Sequence, residues 1–275
     1  MQSGSELVLG ASSLASVCKS WLPPYEQSRG CFAMSIELDP SFGSGPREWR
    51  FATAEAQASA LASVVSKSLT DALRTRGQAS LVVSGGKTPA GMFAQLATAP
   101  LDWSRVHVTL ADERWVEPTN EASNEHLVRT TLLTGPAEKA IFVGLKTAAP
   151  DATSGRAEAW QRCAKMPQPF DQVLLGIGDD GHFASLFPGV VGLADALDEH
   201  AEPACVAITP LDAPFPRISL NFAALLQSRS IRIQICGAGK WEVYQRALEP
   251  GPFSEMPIRA VLRQRKVPVD VYWSP

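Results

Sequence analysis

The stretch Phe170-Asp-Gln-Val-Leu-Leu-Gly-Ile-Gly-Asp-Asp-Gly-His182 decides the fold of this chain. It begins as a short apolar run, which is typical of a strand buried on both faces. The run breaks into a glycine-rich turn that carries two adjacent aspartates and ends on a histidine. The stretch therefore predicts a buried strand with a possible general base, His182, at its mouth.

The glycines of this turn also resemble a dinucleotide-binding loop. Gly176, Gly178 and Gly181 match the pattern G-x-G-x-x-G, which is weak evidence when it stands alone. Asp179 and Asp180 lie between the second and third glycines, where a pyrophosphate would have to approach. Because like charges repel there, a dinucleotide site is not expected.

Strands and helices alternate along most of the chain. Helices are predicted at 53–76, 89–97, 121–133 and 154–164. Strands are predicted at 79–83, 106–110, 140–143, 170–177, 205–208, 218–221, 231–236 and 269–273. Apolar strands separated by helices indicate an α/β fold, an open Rossmann-like and mostly parallel sheet with helices on both faces. Ligands of such sheets bind beyond the carboxyl ends of the strands.

We expect residues 47–275 to form a single catalytic domain. Residues 1–46 are rich in Ser, Gly and Pro and follow neither the helical nor the strand period, so we expect a disordered N-terminal leader, in which Met34 is a candidate start. The apolar stretch 7–17 is preceded by Glu6, where a secretion signal would carry a basic residue, so export is not expected.

Composition excludes several classes of protein. The 25 basic and 28 acidic residues give a net charge of -3, which provides no field for binding nucleic acid in bulk. The five cysteines are scattered and lack the spacing of metal ligands, which fits a reducing cytoplasm and no metal site. No apolar run approaches the ~20 residues that cross a bilayer. We expect a cytoplasmic protein without nucleic-acid or membrane partners.

The strand at 79–83 runs into the turn Ser84-Gly-Gly-Lys-Thr-Pro89. Thr88 is expected to cap the following helix, with Pro89 at its first helical position. Such a turn exposes backbone N–H groups to an anion. The candidate anion-binding residues are Ser84, Gly85, Gly86, Lys87 and Thr88. The alternative is an ordinary glycine turn between strand and helix.

A second polar group, Asp112-Glu113-Arg114, follows the strand at 106–110. Three charged residues in a row are too polar to continue inward, so we expect them to line the mouth of the sheet. Arg114 could bind a phosphate or carboxylate through its planar guanidinium, or could instead form a surface salt bridge with either acid. Asn124 either binds ligand or caps the helix that follows it.

Asp180 could orient the imidazole of His182 and stabilise its protonated form. A lone histidine is often only structural, but a place beside Gly-Asp-Asp-Gly at a strand end favours chemistry. Arg217 and Lys240, which stand near the predicted strands 218–221 and 231–236, could supply the positive charge of a phosphate pocket. They could equally be solvated side chains on loops.

Together these motifs resemble the 6-phosphogluconolactonases of the glucosamine/galactosamine-6-phosphate isomerase superfamily, over about residues 50–273. The resemblance is carried in order by Ser84–Pro89, Asp112–Trp115, Ser123-Asn124, Gly176–His182 with Ala184–Pro188, Pro216–Ile218 and Gly239-Lys240. It implies the NagB/RpiA/CoA-transferase-like fold, no metal or organic cofactor, and a sugar-phosphate lactone as substrate. It also implies hydrolysis of 6-phospho-D-glucono-1,5-lactone to 6-phospho-D-gluconate. Separately, we expect a monomer.

The resemblance assigns a role to each candidate residue. His182 would take a proton from the attacking water, with Asp180 orienting it and Arg114 at the reaction centre. The residues implied in binding the phosphate and the sugar ring are Ser84, Gly85, Gly86, Lys87, Thr88, Arg114, Asn124, Arg217 and Lys240. This chain departs from the family at Phe183, where a threonine is usual at the start of a helix.

Two other functions are compatible with parts of the pattern. A glucosamine-6-phosphate deaminase has a similar glycine-histidine segment, but it resembles this chain less because Phe187 stands where the deaminase has a glutamate. Such enzymes also have a tyrosine at the position of Arg114. A non-catalytic sugar-phosphate sensor would carry a DNA-binding module, and residues before 50 contain no convincing helix-turn-helix pattern.

Overall fold

A seven-stranded parallel sheet organises the computed structural model, which describes residues 45–275. The strands are β1 (Arg47–Arg50), β2 (Ala79–Val83), β3 (Val106–Leu110), β4 (Asp112–Arg114), β5 (Ile141–Val143), β6 (Gln172–Leu175), β7 (Cys205–Ile208), β8 (Arg217–Leu220), β9 (Ile231–Cys236) and β10 (Val269–Ser274). The helices are α1 (Ala54–Arg76), α2 (Ala90–Ala97), α3 (Asn124–Thr131), α4 (Ala152–Cys163), α5 (Leu193–Ala196), α6 (Phe222–Leu226), α7 (Ala238–Leu248) and α8 (Ile258–Arg263).

The main sheet has the order β1-β10-β9-β6-β2-β3-β5, and all six pairings are parallel. Its central strands are buried: every residue of β2 and of β6 is inaccessible to solvent or nearly so. This confirms the predicted mostly parallel α/β sheet. The first strand, β1, was not predicted, because four residues at a sheet edge carry too little apolar pattern.

The helices lie on both faces of this sheet, as predicted. Successive crossovers move along the sheet in one direction from β1 to β5 and in the opposite direction from β5 to β10. Because parallel crossovers are right-handed, helices of the two halves fall on opposite faces. The contacts agree, since α1 packs on α2 and α7 packs on α8.

Two predicted strands belong to a different sheet. β7 and β8 pair antiparallel with each other, and β8 pairs antiparallel with β4, in the order β4-β8-β7. The apolar runs at 205–208 and 218–221 identified them as strands. Their partner β4 consists of three charged residues. Such a short polar strand shows no hydrophobic periodicity, so the sequence could not reveal the second sheet.

The longest helix, α1, follows from local sequence signals. Its buried face recurs every four residues at Gln57, Leu61, Val65 and Leu69. Thr53 caps its start by accepting a hydrogen bond from the backbone of Ala56. Gly77 ends it in the left-handed region at φ 77°, as its position after the last apolar residue predicted.

The first 44 residues lie outside the described part of the chain, so the predicted leader and the possible start at Met34 stay predictions. In the described part, no helix is long and apolar enough to cross a membrane.

Gln57 joins α1 to the end of the sheet through a buried polar contact. Its Nε2 donates to the carbonyl oxygens of Ile235 and Tyr272, both at 2.8 Å, and its Oε1 accepts from Gln234 at 3.0 Å. Gln57 itself is fully buried. Gln57 therefore gives a second donor to two carbonyls of the β9–β10 pairing and links α1 to both strands.

Replacing Gln57 with leucine keeps the volume, removes these hydrogen bonds and leaves the buried amide of Gln234 without its acceptor. We expect Gln57→Leu to lower the free energy of unfolding by about 2–4 kcal/mol, measured by urea denaturation. The control is Gln78→Leu, at an exposed position before β2. Equal stability of the two variants would contradict the role assigned to Gln57.

Candidate active site

The site lies at the carboxyl ends of β2 and β6, where the direction of winding reverses. From β2 the chain continues to β3 and β5 on one side, and then returns to β6 on the other side of β2. Loops that leave two such neighbouring strands diverge and leave a crevice between them. The loops here are 84–89 after β2 and 176–182 after β6.

The crevice holds a cavity of about 470 Å³, a volume in the usual range of small-molecule sites. Its wall contains four cationic side chains, those of Lys87, Arg114, Arg217 and Lys240. The carboxylates in its wall are those of Asp112 and Asp179. With histidine neutral, the lining therefore carries two more positive than negative charges, which favours an anionic ligand.

The structure brings nearly all the predicted site residues to this cavity. Those in its wall are Ser84, Gly85, Gly86, Lys87, Thr88, Arg114, Asn124, His182, Arg217 and Lys240. Asp180 is not in the wall. It lies behind His182, which it contacts.

The turn after β6 is built so that the imidazole of His182 lies against a glycine. A Cβ added to Gly178 would stand 2.0 Å from His182 Nδ1 and 2.1 Å from Cε1, so no side chain fits there. The backbone N–H of Gly178 donates to the carbonyl of His182 at 2.8 Å, and Gly181 has φ 80°. Gly176, in contrast, has no atom within 4 Å of an added Cβ.

Asp180 orients the imidazole of His182. Its Oδ1 lies 2.6 Å from Nδ1 and 3.0 Å from the backbone nitrogen of His182. Partial burial raises the pKa of Asp180, but the hydrogen bonds and charge of His182 outweigh this and leave the pKa below its ordinary value. An ionised carboxylate accepts the proton on Nδ1, so in the neutral ring Nε2 carries the free lone pair.

Phe187 supports the other side of the ring. Its centroid is 4.2 Å from that of His182, with an angle of 44° between the planes. The His182 side chain keeps 28% of its surface exposed, so the imidazole remains accessible. The imidazole is thus oriented and accessible at the edge of the cavity, which is the geometry that a general base requires.

The turn after β2 lines the cavity, but the predicted start of the helix after it needs a correction. Ser84 extends the pairing with β6 through its N–H to the carbonyl of Leu174 at 3.0 Å, and Gly86 adopts φ 99°. Thr88 does not cap α2. Pro89 occupies the cap position without a side-chain hydrogen bond, and the helix starts at Ala90.

The prediction that three charged residues line the mouth is wrong for Glu113. Its side chain is fully buried, and its carboxylate caps the start of α3. It accepts four hydrogen bonds, from the backbone N–H groups of Arg114, Asn124 and Glu125, each at 2.7 Å, and from the hydroxyl of Ser123 at 2.9 Å. Burial raises the pKa of Glu113, and these four donors oppose the shift. The run of charged residues in the sequence did not show that the N–H groups at the start of α3 would take the Glu113 carboxylate as their acceptor.

Asn124 faces the cavity and does not cap the helix, because Ser123 is the cap and accepts from His126 N at 3.1 Å. The Nδ2 of Asn124 donates to the carbonyl of Asp112 at 2.8 Å. Its amide lies against Gly85, where an added Cβ would stand 1.8 Å from Oδ1. Asn124 thus connects β4 to the loop after β2, and a side chain at position 85 would not fit.

Arg114 and Arg217 are direct partners across the antiparallel pair of β4 and β8. Arg114 forms no salt bridge with Asp112 or Glu113, and donates instead to the carbonyl of Ala122 at 2.6 Å. Arg217 donates to the carbonyls of Pro214 and Phe215 at 2.6 and 3.0 Å. Burial lowers the pKa of Arg217, and the charge of Arg114 lowers it further. Two guanidinium groups are therefore held side by side in the wall of the cavity.

Lys240 lies in the first turn of α7 and points back to the turn after β6. Its Nζ donates to the carbonyl of Ile177 at 2.6 Å and forms an ion pair with Asp179 at 3.0 Å. Asp179 is nearly fully exposed, so this ion pair is screened by solvent. Lys240 is therefore held at the turn that carries His182.

The expectation of a helix directly after His182 is wrong. Phe183 begins a turn that closes on Leu186, and the next helix, α5, starts only at Leu193. Phe183 is 1% exposed and packs edge-on against Phe222, with the ring centroids 6.0 Å apart. The phenyl ring is therefore part of the hydrophobic core.

Several residues that line the cavity were not among the predicted catalytic and binding residues, although Asp112 was expected to line the mouth of the sheet. Asp112 lines the cavity and accepts the hydroxyl of Ser185 at 2.5 Å through Oδ2. Ser185 and Phe187 also line the cavity. All three stand in motifs that the sequence analysis identified, next to Arg114 or after His182. Membership of a motif does not show whether a side chain points into the cavity. Within residues 45–275, no three His, Cys, Asp or Glu side chains are grouped as metal ligands.

Comparisons with known proteins agree with this geometry. Residues 52–273 match the model of a protein family described as glucosamine-6-phosphate isomerases/6-phosphogluconolactonase. A 6-phosphogluconolactonase from Rhizobium meliloti is 43% identical over 225 residues, which cover 82% of this chain and 97% of the relative.

Solved structures show the same similarity. The crystal structure of a 6-phosphogluconolactonase from Shewanella baltica is 47% identical with a TM-score of 0.81, over 84% of this chain and 98% of that one. A monomeric glucosamine-6-phosphate deaminase is 18% identical with a TM-score of 0.66, over 82% of this chain and 96% of that one, which shows a shared fold alone.

Glu113 is expected to stabilise the part of the site that carries Arg114 and Asn124. In Glu113→Gln an amide group replaces one carboxylate oxygen and faces N–H donors, so we expect the free energy of unfolding to fall by about 2–4 kcal/mol at neutral pH. Urea denaturation measures this loss. The matched control is Glu117→Gln, whose wild-type side chain is 77% exposed, with a change within about 0.5 kcal/mol. A Glu113→Gln variant as stable as the control would contradict the capping role.

Proposed function

The chain belongs to the family of glucosamine-6-phosphate isomerases and 6-phosphogluconolactonases, and from this premise and the geometry of the site we propose that it hydrolyses 6-phospho-D-glucono-1,5-lactone to 6-phospho-D-gluconate. The observation that carries the proposal is the pairing of His182 with Asp180, 2.6 Å apart, at the edge of a cavity with excess positive charge. Such a site offers both a base for water and cations for a phosphate.

In the proposed reaction His182 acts as the general base. Its Nδ1–H is held by Asp180, so Nε2 takes a proton from a water molecule. The hydroxide that forms adds to the carbonyl carbon of the lactone. The bond between that carbon and the ring oxygen then breaks, and the imidazolium returns its proton to the leaving ring oxygen. The products are a carboxylic acid, which ionises, and a free hydroxyl group.

Asp180 contributes by staying ionised through this cycle. Its pKa lies below the ordinary value, so the carboxylate remains available to stabilise the imidazolium. Because a lactone is already an electrophile, an oriented base and a positioned substrate suffice for a large acceleration.

The phosphate is proposed to bind at the cationic part of the wall. Arg217 and Lys240 stand on different elements that converge on the cavity, and the loop 84–88 adds backbone N–H groups. Arg114 lies beside Arg217 and is proposed to contact the phosphate or the sugar ring. The mutual repulsion of these two arginines would be relieved when a dianion binds between them.

The same geometry disfavours the two alternative functions. A deaminase needs a carboxyl group for ring opening near the histidine, and the residue there is Phe187, whose ring packs at a tilt against the imidazole. A sensor would need no oriented base, and the hydrogen bond from His182 to Asp180 is unexplained on that view. The cytoplasmic location is a proposal that rests on cysteine usage, and the monomeric state is a separate proposal.

The activity is tested by following loss of the lactone against its spontaneous hydrolysis. We expect the wild-type protein to accelerate hydrolysis, and His182→Ala to lower kcat by about 10²- to 10⁴-fold. The matched control is His200→Ala, whose side chain is 76% exposed and distant in sequence from the site, and which should retain wild-type kcat.

Two outcomes would count against the account. A wild-type protein that does not accelerate lactone loss would overturn the function itself. Equal kcat in wild type and His182→Ala would overturn the base and leave the function standing. Release of ammonia from glucosamine 6-phosphate would favour the deaminase.

Gly178 provides a test of how closely the imidazole must be positioned. In Gly178→Ala the added methyl group would stand 2.0 Å from Nδ1, so the ring must move away from Asp180. We expect kcat to fall at least 10²-fold with little change in KM, because a small misplacement of a reacting group is costly and the phosphate contacts are remote. Gly91→Ala is the matched control, because Gly91 is an exposed residue of α2 outside the cavity wall and its added Cβ meets only Ala58 Cβ, at 3.9 Å. Similar kcat values for the two variants would refute the positioning argument.

A further inference from the structure

A second cavity, of about 310 Å³, lies at the opposite edge of the main sheet. It is found at the amino ends of β2, β6 and β9, whereas the active site is at their carboxyl ends. Its lining residues include Lys67, Ser68, Asp71, Arg76, Asp171, Arg229 and Arg232. None of these residues contributes to the proposed hydrolysis.

Positive charge exceeds negative charge in the wall of this cavity. It contains four basic side chains and two carboxylates. Lys67 and Asp71 neutralise each other through an ion pair of 2.7 Å on the surface of α1. The second carboxylate, that of Asp171, is 3% exposed and is shared by two guanidinium groups, those of Arg76 and Arg229.

The third arginine of the cavity, Arg232, has no carboxylate to itself. Its side chain is 10% exposed, and its Nη1 donates to the neutral side chains of Gln172 and Ser230. The nearest acid is Asp270, at 3.8 Å from Nη2. Asp270 is already held by Arg47 through two hydrogen bonds of 2.7 and 3.0 Å. Within residues 45–275, the buried Nε of Arg232 has no hydrogen-bond partner.

Among residues 45–275, four arginines, Arg47, Arg76, Arg229 and Arg232, share the carboxylates of Asp171 and Asp270 in this region, which leaves an excess of two positive charges. Arg232 is the one whose charge is largely removed from water, and such a charge is unfavourable unless it is neutralised and hydrogen-bonded. An anion from solution with two negative charges would balance the excess. The side chains of Arg76 and Arg229 are 40% and 46% exposed, so their guanidinium groups remain accessible to such an anion.

We propose that this cavity binds a phosphate dianion, either inorganic phosphate or the phosphate group of a small phosphomonoester. Planar guanidinium groups suit phosphate because each can donate two parallel hydrogen bonds. The volume admits a phosphate group with a few further atoms. The site is separate from the catalytic cavity, since the length of the parallel strands lies between them.

The test is a titration of the uniformly ¹⁵N-labelled full chain with inorganic phosphate, followed by backbone amide resonances. Gly85 and Gly86 report the active site, and Ser80, Asp171 and Ser230 report the second cavity. Sodium chloride at matched ionic strength is the reference, because screening alone shifts resonances near exposed charges. A parallel titration with glycerol 3-phosphate distinguishes inorganic phosphate from a phosphomonoester. The preferred ligand is the one that saturates the shifts of the second-cavity amides at the lower concentration.

The discriminating variant is Arg229→Gln, which leaves Arg76 on the buried Asp171. We expect the second group of amides to need about tenfold more phosphate in this variant, while the active-site group titrates as in wild type. The matched control is Arg105→Gln, an arginine of similar exposure that pairs with Asp102 outside the cavity, and it should leave both groups unchanged. If Arg229→Gln does not fold, Arg229→Lys, which keeps the charge and loses the planar donor group, should show a weaker loss in the same direction.

Saturation of the second group in wild type, weakened in the Arg229 variant alone, would support the proposal. Shifts no larger than those in sodium chloride would overturn it. So would a titration of the second group that is the same in wild type and variant. Because the active-site amides are followed in the same spectra, these outcomes are independent of whether the lactone is the substrate.

Discussion

The reversal of winding between β2 and β6 is the constraint on which the site depends. Parallel strands need crossover connections, and right-handed crossovers in two directions separate the loops at the reversal. The two loops that diverge there are the two most glycine-rich segments of the site, and each carries part of the proposed chemistry. A single direction of winding would have placed the turn of His182 and the turn of Ser84 on loops that close over one another. The fold thus supplies the crevice before any catalytic side chain is considered.

Within the crevice, side chains pack closely against glycines, and charged groups are held close together. Gly178 and Gly85 have no side chain because His182 and Asn124, respectively, occupy the space in which a Cβ would stand. Glu113 is buried, at a cost in desolvation, to hold the start of α3 and with it Asn124. Arg114 and Arg217 stand side by side in spite of their repulsion. The two glycines are explained by the side chains packed against them, the buried Glu113 by its four donors, and the pair of arginines by the anionic ligand of the proposed function.

Much of this could be predicted from the sequence. Apolar runs predicted the buried strands, and Gly77 follows directly on the predicted helix 53–76. The motifs at strand ends converge because parallel strands share one edge for their carboxyl ends. The second sheet could not be predicted, because β4 is three residues long and its pairing with β8 joins segments about a hundred residues apart. The burial of Glu113 was also hidden, because its four donors come from a helix start whose position relative to β4 is set by tertiary packing. Sequence thus indicated which residues gather, but not which carboxylate faces the ligand and which supports the backbone.

The central claim is that one cavity holds the phosphate at its cations and the reacting carbon at His182. It is tested most directly by a crystal structure of the protein with 6-phosphogluconate, the proposed product. The account predicts the phosphate in contact with Arg217 and Lys240, and a carboxylate oxygen of the product about 3–3.5 Å from Nε2 of His182. A complex with the phosphate against His182, or with the carboxylate remote from Nε2, would contradict it.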